Sequence, residues 1–360
     1  MVPGWRQESH EGGGPFWRSH AGAVMAGFER GHGGEGGVFA ALDLGTNTCR
    51  LLVARPAGPG FRVVDAFSRI VRLGERVAAT GELGDDAMAR AAEALEVCAQ
   101  KLRRRGVTHF RGVATEACRR ARNGAEFLAR VTRETGMALE IIAAREEAEL
   151  AVASCAPLLD PHVPHAVLFD IGGGSTEVTW LLNHGREGWE MVDAISIPCG
   201  VVGYAERFGG DAMAQADYLR MVVEVADLLA PFEARNRIGQ RVAAGDVQML
   251  GTSGTVTTLS GIKLGLPRYD RRVVDGSWLD FTDIVGLSHA LASLDFAGRA
   301  AKPCIGAERA DLVVAGCAIL EAICRTWPVG RLRVADRGLR EGIILGLMAR
   351  AARRDGWRHG

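Results

Sequence analysis

A strand that ends in aspartate and turns at once on glycine occurs twice in this chain. The first copy is Ala41-Leu42-Asp43-Leu44-Gly45-Thr46-Asn47-Thr48 and the second is Leu168-Phe169-Asp170-Ile171-Gly172-Gly173-Gly174-Ser175-Thr176. Glycine lets backbone N–H groups approach anion oxygens with no Cβ in the way, and the carboxylate can orient a divalent cation and its waters. One such turn is an ordinary hairpin with a turn-favouring Asp. Its repetition constrains the fold to two related halves, each built about the same device and closing on one ligand.

The 360 residues, 48% of them apolar, are enough for two compact domains. The formal net charge of +0 excludes a nucleic-acid binder driven by bulk electrostatics and leaves room for a local polyanion groove. Lys101, Lys263 and Lys302 are the only lysines, so phosphate recognition would fall to guanidinium forks, although Arg richness also follows from genome composition. Cys49, Cys98, Cys118, Cys155, Cys199, Cys304, Cys317 and Cys324 lack CxxC spacing and read as buried thiols in a reducing compartment. No apolar run is long enough to span a bilayer, and no signal-like h-region opens the chain, so no membrane role and a cytoplasmic location are expected. Residues 1–37, rich in Gly, His and Arg, read as a disordered extension, inside which Met25 offers a second translation start.

From residue 38 onward strand and helix patterns alternate. Strands at 38–42, 51–54 and 61–67 predict an antiparallel meander around the first turn. A long helix follows, with Asp85 as its N-cap and Gly106 just past its end. A strand at 109–114, a helix at 124–135, a strand at 138–143 and a helix at 146–155 then give βαβα wording. The second half repeats the order, with strands at 165–170, 177–182 and 190–197 followed by long helices. A third glycine turn, Gly251-Thr252-Ser253-Gly254-Thr255, ends a strand and opens a helix, placing backbone donors at a helix N-terminus.

Seven motifs, taken in order, carry a resemblance. They are Asp43-Leu44-Gly45-Thr46-Asn47, Arg72-Leu73-Gly74-Glu75, Ala114-Thr115-Glu116-Ala117-Cys118-Arg119, Arg145-Glu146-Glu147-Ala148, Asp170 to Glu177, Gly251 to Thr255, and Gly338-Leu339-Arg340-Glu341-Gly342. Together they resemble the exopolyphosphatase and guanosine pentaphosphate phosphohydrolase family. The resemblance implies an α/β fold of the actin-like ATPase superfamily: two ribonuclease-H-like domains, mixed five-stranded sheets flanked by helices, and an interdomain cleft. It implies a first domain at 38–144 joined by a C-terminal helix at 343–360, and a second at 145–342. It also implies the short form, without the C-terminal metal-phosphohydrolase-like domain of longer members, and is compatible with a homodimer.

A phosphohydrolase needs a cation, donors for the phosphate oxygens, a positioned water and a base for that water. Asp43 and Asp170 end strands of their own domains and are candidates for Mg²⁺, joined in the resemblance by Glu177. Glu147 aligns with the family's catalytic glutamate and Arg119 with its phosphate-contacting arginine; Glu146 and Glu149, and Arg120 and Arg122, compete on sequence alone. Gly45, Thr46, Asn47, Gly172, Gly173, Gly174, Ser175 and Thr176 would cradle the terminal phosphate, and Gly251, Ser253, Gly254 and Thr255 would form a third wall.

The substrate expected is inorganic polyphosphate, with guanosine pentaphosphate as the alternative. A kinase of the same superfamily would transfer phosphate from a nucleotide to an acceptor. A non-catalytic sensor of polyphosphate or guanosine tetraphosphate would need no base, and the presence of Asp43, Glu147, Asp170 and Glu177 argues against it. Zinc-site spacings and the GxxxxGK[ST] loop are absent.

Overall fold

The structure, a computed structural model, describes residues 37–58, 60–211 and 213–356, with side chains described as far as 353. The extension read at 1–37 therefore lies, up to residue 36, outside the described residues. Two compact units emerge. One holds the described residues through Ser154, the stretch Arg186–Gly188 and Gly338 onward; the other holds Cys155–Gly185 and Trp189–Arg337.

The first unit is built on a five-stranded sheet. Strands β1 (Phe39–Leu44), β2 (Thr48–Ala57) and β3 (Gly60–Ile70) form the expected meander. Strands β4 (His109–Ala114) and β5 (Leu139–Ile141) add in parallel on the other side of β1, giving the order β3-β2-β1-β4-β5. Period-2 alternation along β1 feeds two cores. Ala40, Leu42 and Leu44 join Leu95, Cys98 and Leu102 of helix α1 (Asp85–Arg104), whereas Phe39 and Ala41 join Leu150 and the face Leu339, Ile343 and Leu347. The latter residues come from helices α4 (Ala144–Cys155) and α8 (Leu339–Gly356). Helix α4, expected to open the second domain, thus groups with the first, because Leu150 buries in the core that α8 covers.

Local expectations shift in small ways. Asp85 stands in the first turn of α1, with Gly84 at the cap, so it serves the macrodipole rather than capping. Helices α2 (Glu116–Arg120) and α3 (Gly124–Thr135) follow β4, and Gly136 ends α3 in the left-handed conformation at φ 75°.

The second unit repeats the plan. Strands β6 (His165–Ile171), β7 (Thr176–Asn183) and β8 (Trp189–Ile197) are antiparallel neighbours, and β9 (Val247–Thr252) and β11 (Arg331–Ala335) extend the sheet in parallel from β6. A three-residue edge strand, β10 (Trp278–Asp280), makes this sheet six-stranded rather than five. Its core packs the sheet against α5 (Gln215–Asn236), α6 (Gly254–Lys263) and α7 (Val313–Thr326), through Phe169, Val225, Leu259 and Ile319 among others. The mixed α/β architecture of two sheets flanked by helices is the one expected.

Candidate active site

The two aspartate-glycine turns share a backbone arrangement. In the first, Gly45 N–H donates to Thr48 O at 2.9 Å. The Thr46 carbonyl accepts from Gly74 N–H at 2.8 Å, and the Asn47 carbonyl accepts from Val71 and Arg72 N–H at 2.9 and 3.0 Å. In the second, Gly172 N–H donates to Ser175 O, and the Gly172 and Gly173 carbonyls accept from Val201 and Val202 N–H at 3.1 and 2.9 Å. The carbonyls are tied back into the protein, while Thr46, Asn47, Gly173 and Gly174 N–H take no backbone acceptor among the described residues. A turn with its acceptors consumed and its donors unspent favours an anion.

Neighbouring glycines permit this. A Cβ on Gly74 would lie 2.2 Å from Thr46 Cγ2, and one on Gly200 would lie 2.4 Å from the Gly173 carbonyl carbon. Arg72 adopts a left-handed backbone at φ 48°, in the loop whose two successive N–H groups converge on Asn47 O.

The side chains at these turns divide by role. Ser175 Oγ donates to Glu177 Oε1 at 2.7 Å and Ser196 Oγ to the same oxygen at 2.8 Å, holding a buried carboxylate in place. Thr176 is fully buried and donates to Cys199 O at 2.8 Å. At the third turn Gly251 lies inside the sheet under the Phe169 ring, Thr255 is buried against Gly316, and Ser253 Oγ accepts from Val256 N–H as the cap of α6. Gly254 opens that helix.

Asp43, at the end of β1, retains some exposed surface, yet burial pushes its carboxyl above the ordinary value of 3.8. Arg50 and Arg340 pull it back and Glu341 adds to the rise. Asn47 Oδ1 is buried with no hydrogen-bond partner.

In the first unit the structure also separates the competing acidic residues on α4. Glu146 pairs with the buried Arg111 at 2.5 Å, which Glu140 grips equally closely, and Glu149 pairs with Arg145 at 3.2 Å. Glu147 Oε2 faces Arg119 Nη1 at 3.4 Å. Arg119 also donates through Nη2 and Nε to Glu116 Oε2, at 2.6 and 3.1 Å, and through Nη1 to Ile142 O at 2.7 Å. Arg120 stands 3.8 Å from Glu116, and Arg122 turns to Glu82 at 3.1 Å. The structure thus joins Glu147 to Arg119, turns Glu146, Glu149 and Arg122 to other partners, and leaves Arg120 beside the same Glu116.

The profile of one protein family matches residues 52–351 and is described as the Ppx/GppA phosphatase family. The chain belongs to the Ppx/GppA phosphatase family. It is 30% identical over 326 residues to Exopolyphosphatase 2 of Mycobacterium tuberculosis, covering 86% of this chain and 98% of the relative. The Ppx/GppA enzyme of Aquifex aeolicus superposes with a TM-score of 0.70 at 27% identity, over 86% of this chain and 99% of its own. An exopolyphosphatase-like protein superposes with a TM-score of 0.79 at 28% identity, over 87% of this chain and 98% of its own. The Ppx/GppA chain is accordingly a phosphohydrolase of the exopolyphosphatase family.

Among the described residues of this Ppx/GppA member, no group of three or more His, Cys, Asp or Glu side chains is arranged to hold a metal ion. No described helix is long and apolar enough to cross a membrane. The oxygen set nevertheless fits a hard cation that takes one or two carboxylates and completes its shell with water and phosphate. The desolvated Asp43 carboxylate and the unsatisfied Asn47 Oδ1 are both acceptors on one turn. Sequence reasoning assigned no role to Gly74, Gly200 or Ser196, and none to Glu116. Gly74 and Glu116 stand inside two of the seven motifs, and Glu116 has a further local signal in its i,i+3 spacing from Arg119.

Proposed function

We propose that the chain is a Mg²⁺-dependent exopolyphosphatase that hydrolyses the terminal phosphoanhydride of inorganic polyphosphate and releases orthophosphate. The observation that carries this reading is the pairing of Glu147 with Arg119 at 3.4 Å, in the same unit as the donor-rich Asp43 turn. The 30% identity to a relative named Exopolyphosphatase 2 supports the substrate class.

In this reading Glu147 removes a proton from water as the water oxygen attacks the terminal phosphorus, and the anhydride bond to the shortened chain breaks. Thr46, Asn47, Gly173 and Gly174 N–H bind the phosphoryl oxygens, and Arg119 supplies a guanidinium to the same phosphate. Asp43, Asp170 and Glu177 would hold Mg²⁺, which neutralises charge on the phosphate when bound. Ser175 and Ser196 orient Glu177, and Gly254 marks the helix N-terminus left for more distant phosphates.

Phosphate release from polyphosphates of several lengths and from guanosine pentaphosphate, each with and without Mg²⁺, tests the proposal. Glu147→Gln is expected to lower kcat by about 10²–10⁴-fold. Full activity in that variant, or turnover of guanosine pentaphosphate alone, would overturn the base or the substrate respectively.

A further inference from the structure

Arg111 is buried within β4, and a charged side chain is seldom taken inside without a partner. Alternation along β4 puts Arg111 on the face of Val113, which joins the core shared by Leu150 of α4 and Ile343 of α8. There the guanidinium meets two carboxylates. Nε donates to Glu140 Oε1 of β5 and Nη2 to Glu146 Oε1 of α4, each at 2.5 Å. Two acidic side chains on one buried cation are more than charge balance requires, and the arrangement has a geometric use. Glu140, on the strand paired with β4, fixes the guanidinium from the sheet, and the fixed guanidinium holds Glu146 in the first turn of α4.

Glu146 and Leu150 stand four residues apart on one face of the helix, so an ion pair and an apolar contact seat the same face on the sheet. A second tie lies just before the helix. Ile142 N–H donates to Ala114 O at 3.2 Å, and Ile142 O accepts from Arg119 Nη1 at 2.7 Å. Glu147 follows Glu146 by one residue, about 100° round the helix axis. A first turn that rolls about that axis carries the Glu147 carboxylate toward or away from Arg119, which Glu116 grips from α2.

We propose that Arg111 is a positioning residue for the hydrolysis: through Glu146 it sets the rotation of α4, and with it the place of the Glu147 carboxylate. The inference rests on the reading of Glu147 as base. Removing the guanidinium takes away the anchor and leaves Glu140 and Glu146 close together as like charges, whose repulsion drives the start of α4 from the sheet.

The test is a double-mutant cycle read in kcat and KM for polyphosphate of one fixed length, with Arg111→Met and Glu147→Ala made apart and together. Arg111→Met keeps an unbranched side chain and removes its charge. Alone it should lower kcat by about 10–10²-fold, the scale set by a small misplacement of a reacting group, and leave KM within about twofold. On the Glu147→Ala background the same substitution should change the residual kcat by less than about twofold, because the side chain it positions is gone. Glu146→Ala leaves Arg111 paired with Glu140; it should repeat the pattern with a smaller loss, and it takes the place of Arg111→Met in the cycle if that variant does not fold. Equal losses on both backgrounds, a loss carried by KM, or full kcat in Arg111→Met and Glu146→Ala would overturn the positioning role. Glu147→Ala alone separates the two levels: full activity removes the base assignment itself, whereas lost activity with an additive cycle overturns the role of Arg111 alone.

Discussion

Gly74 packs so closely against Thr46 that a methyl group there would sit 2.2 Å from Thr46 Cγ2, while its N–H holds the Thr46 carbonyl at 2.8 Å. Both contacts fix a turn whose Thr46 and Asn47 N–H groups take no backbone acceptor among the described residues. Gly74→Ala is therefore expected to displace the turn. Overpacking of this kind costs about 1–3 kcal/mol in stability, and the displaced donors should lower kcat/KM further. Thermal melting alongside phosphate-release kinetics checks it; unchanged kinetics would mean that the turn tolerates the shift.

Gly200 is the counterpart in the second unit, with a would-be Cβ 2.4 Å from the Gly173 carbonyl carbon. The backbone itself blocks the space, so Gly200→Ala should be at least as damaging as Gly74→Ala. A soluble Gly200→Ala variant with ordinary affinity for orthophosphate would count against the second turn as an anion site.

Asp43 gives a pH-dependent expectation. Its carboxyl is raised in the folded chain, so the folded state holds its proton more tightly than the unfolded state does. Stability then falls as pH rises from the ordinary value of 3.8 through the folded value, and the penalty is complete above it. Asp43→Asn should raise the melting temperature at neutral pH and give little gain at acid pH. The same change should remove any stabilisation by added Mg²⁺. Melting curves at two pH values, with and without the cation, decide both points.

In the second unit, Glu321 is fully buried on α7 and is gripped by Tyr218 Oη at 2.7 Å, Arg325 at 2.5 Å and His289 at 3.2 Å. Removing it leaves the buried Tyr218 hydroxyl without its acceptor, while the half-exposed Arg325 and His289 return to solvent. Glu321→Ala should cost about 1–3 kcal/mol, and Glu321→Gln less. Denaturant titration reads the difference, and a loss below 1 kcal/mol would show that the network is dispensable.

The buried cysteines should be inert in the native state. Burial pushes Cys118, Cys199 and Cys317 up to about 12, whereas Cys304 lies in a partly exposed loop with a smaller rise. Alkylation at neutral pH followed by mass spectrometry should label Cys304 first and the three buried thiols only after unfolding.

Much of the fold was legible because strands announced themselves by alternation and turns by glycine. The helix at 124–135 was read residue for residue, its end marked by Gly136. The strand read at 138–143 shortens to Leu139–Ile141, and the following helix starts two residues early at Ala144. Propensity does not decide those ends; the parallel register with β4 does. The motif order located the candidate site, but Arg119 and Glu147 met only through the fold, 28 residues apart in sequence. Gly200 and Ser196 act across strand and loop contacts that no local pattern encodes.

The tied-back carbonyls of the two turns have an evolutionary consequence. Donors written in main-chain amides have no side chain to lose, so substitution at Thr46 by any residue but proline leaves the donating group in place. The vulnerable positions are those that shape the main chain from behind. A lineage drifting away from this activity would record its drift first at Gly74 and Gly200, residues with no assigned contact to the phosphate.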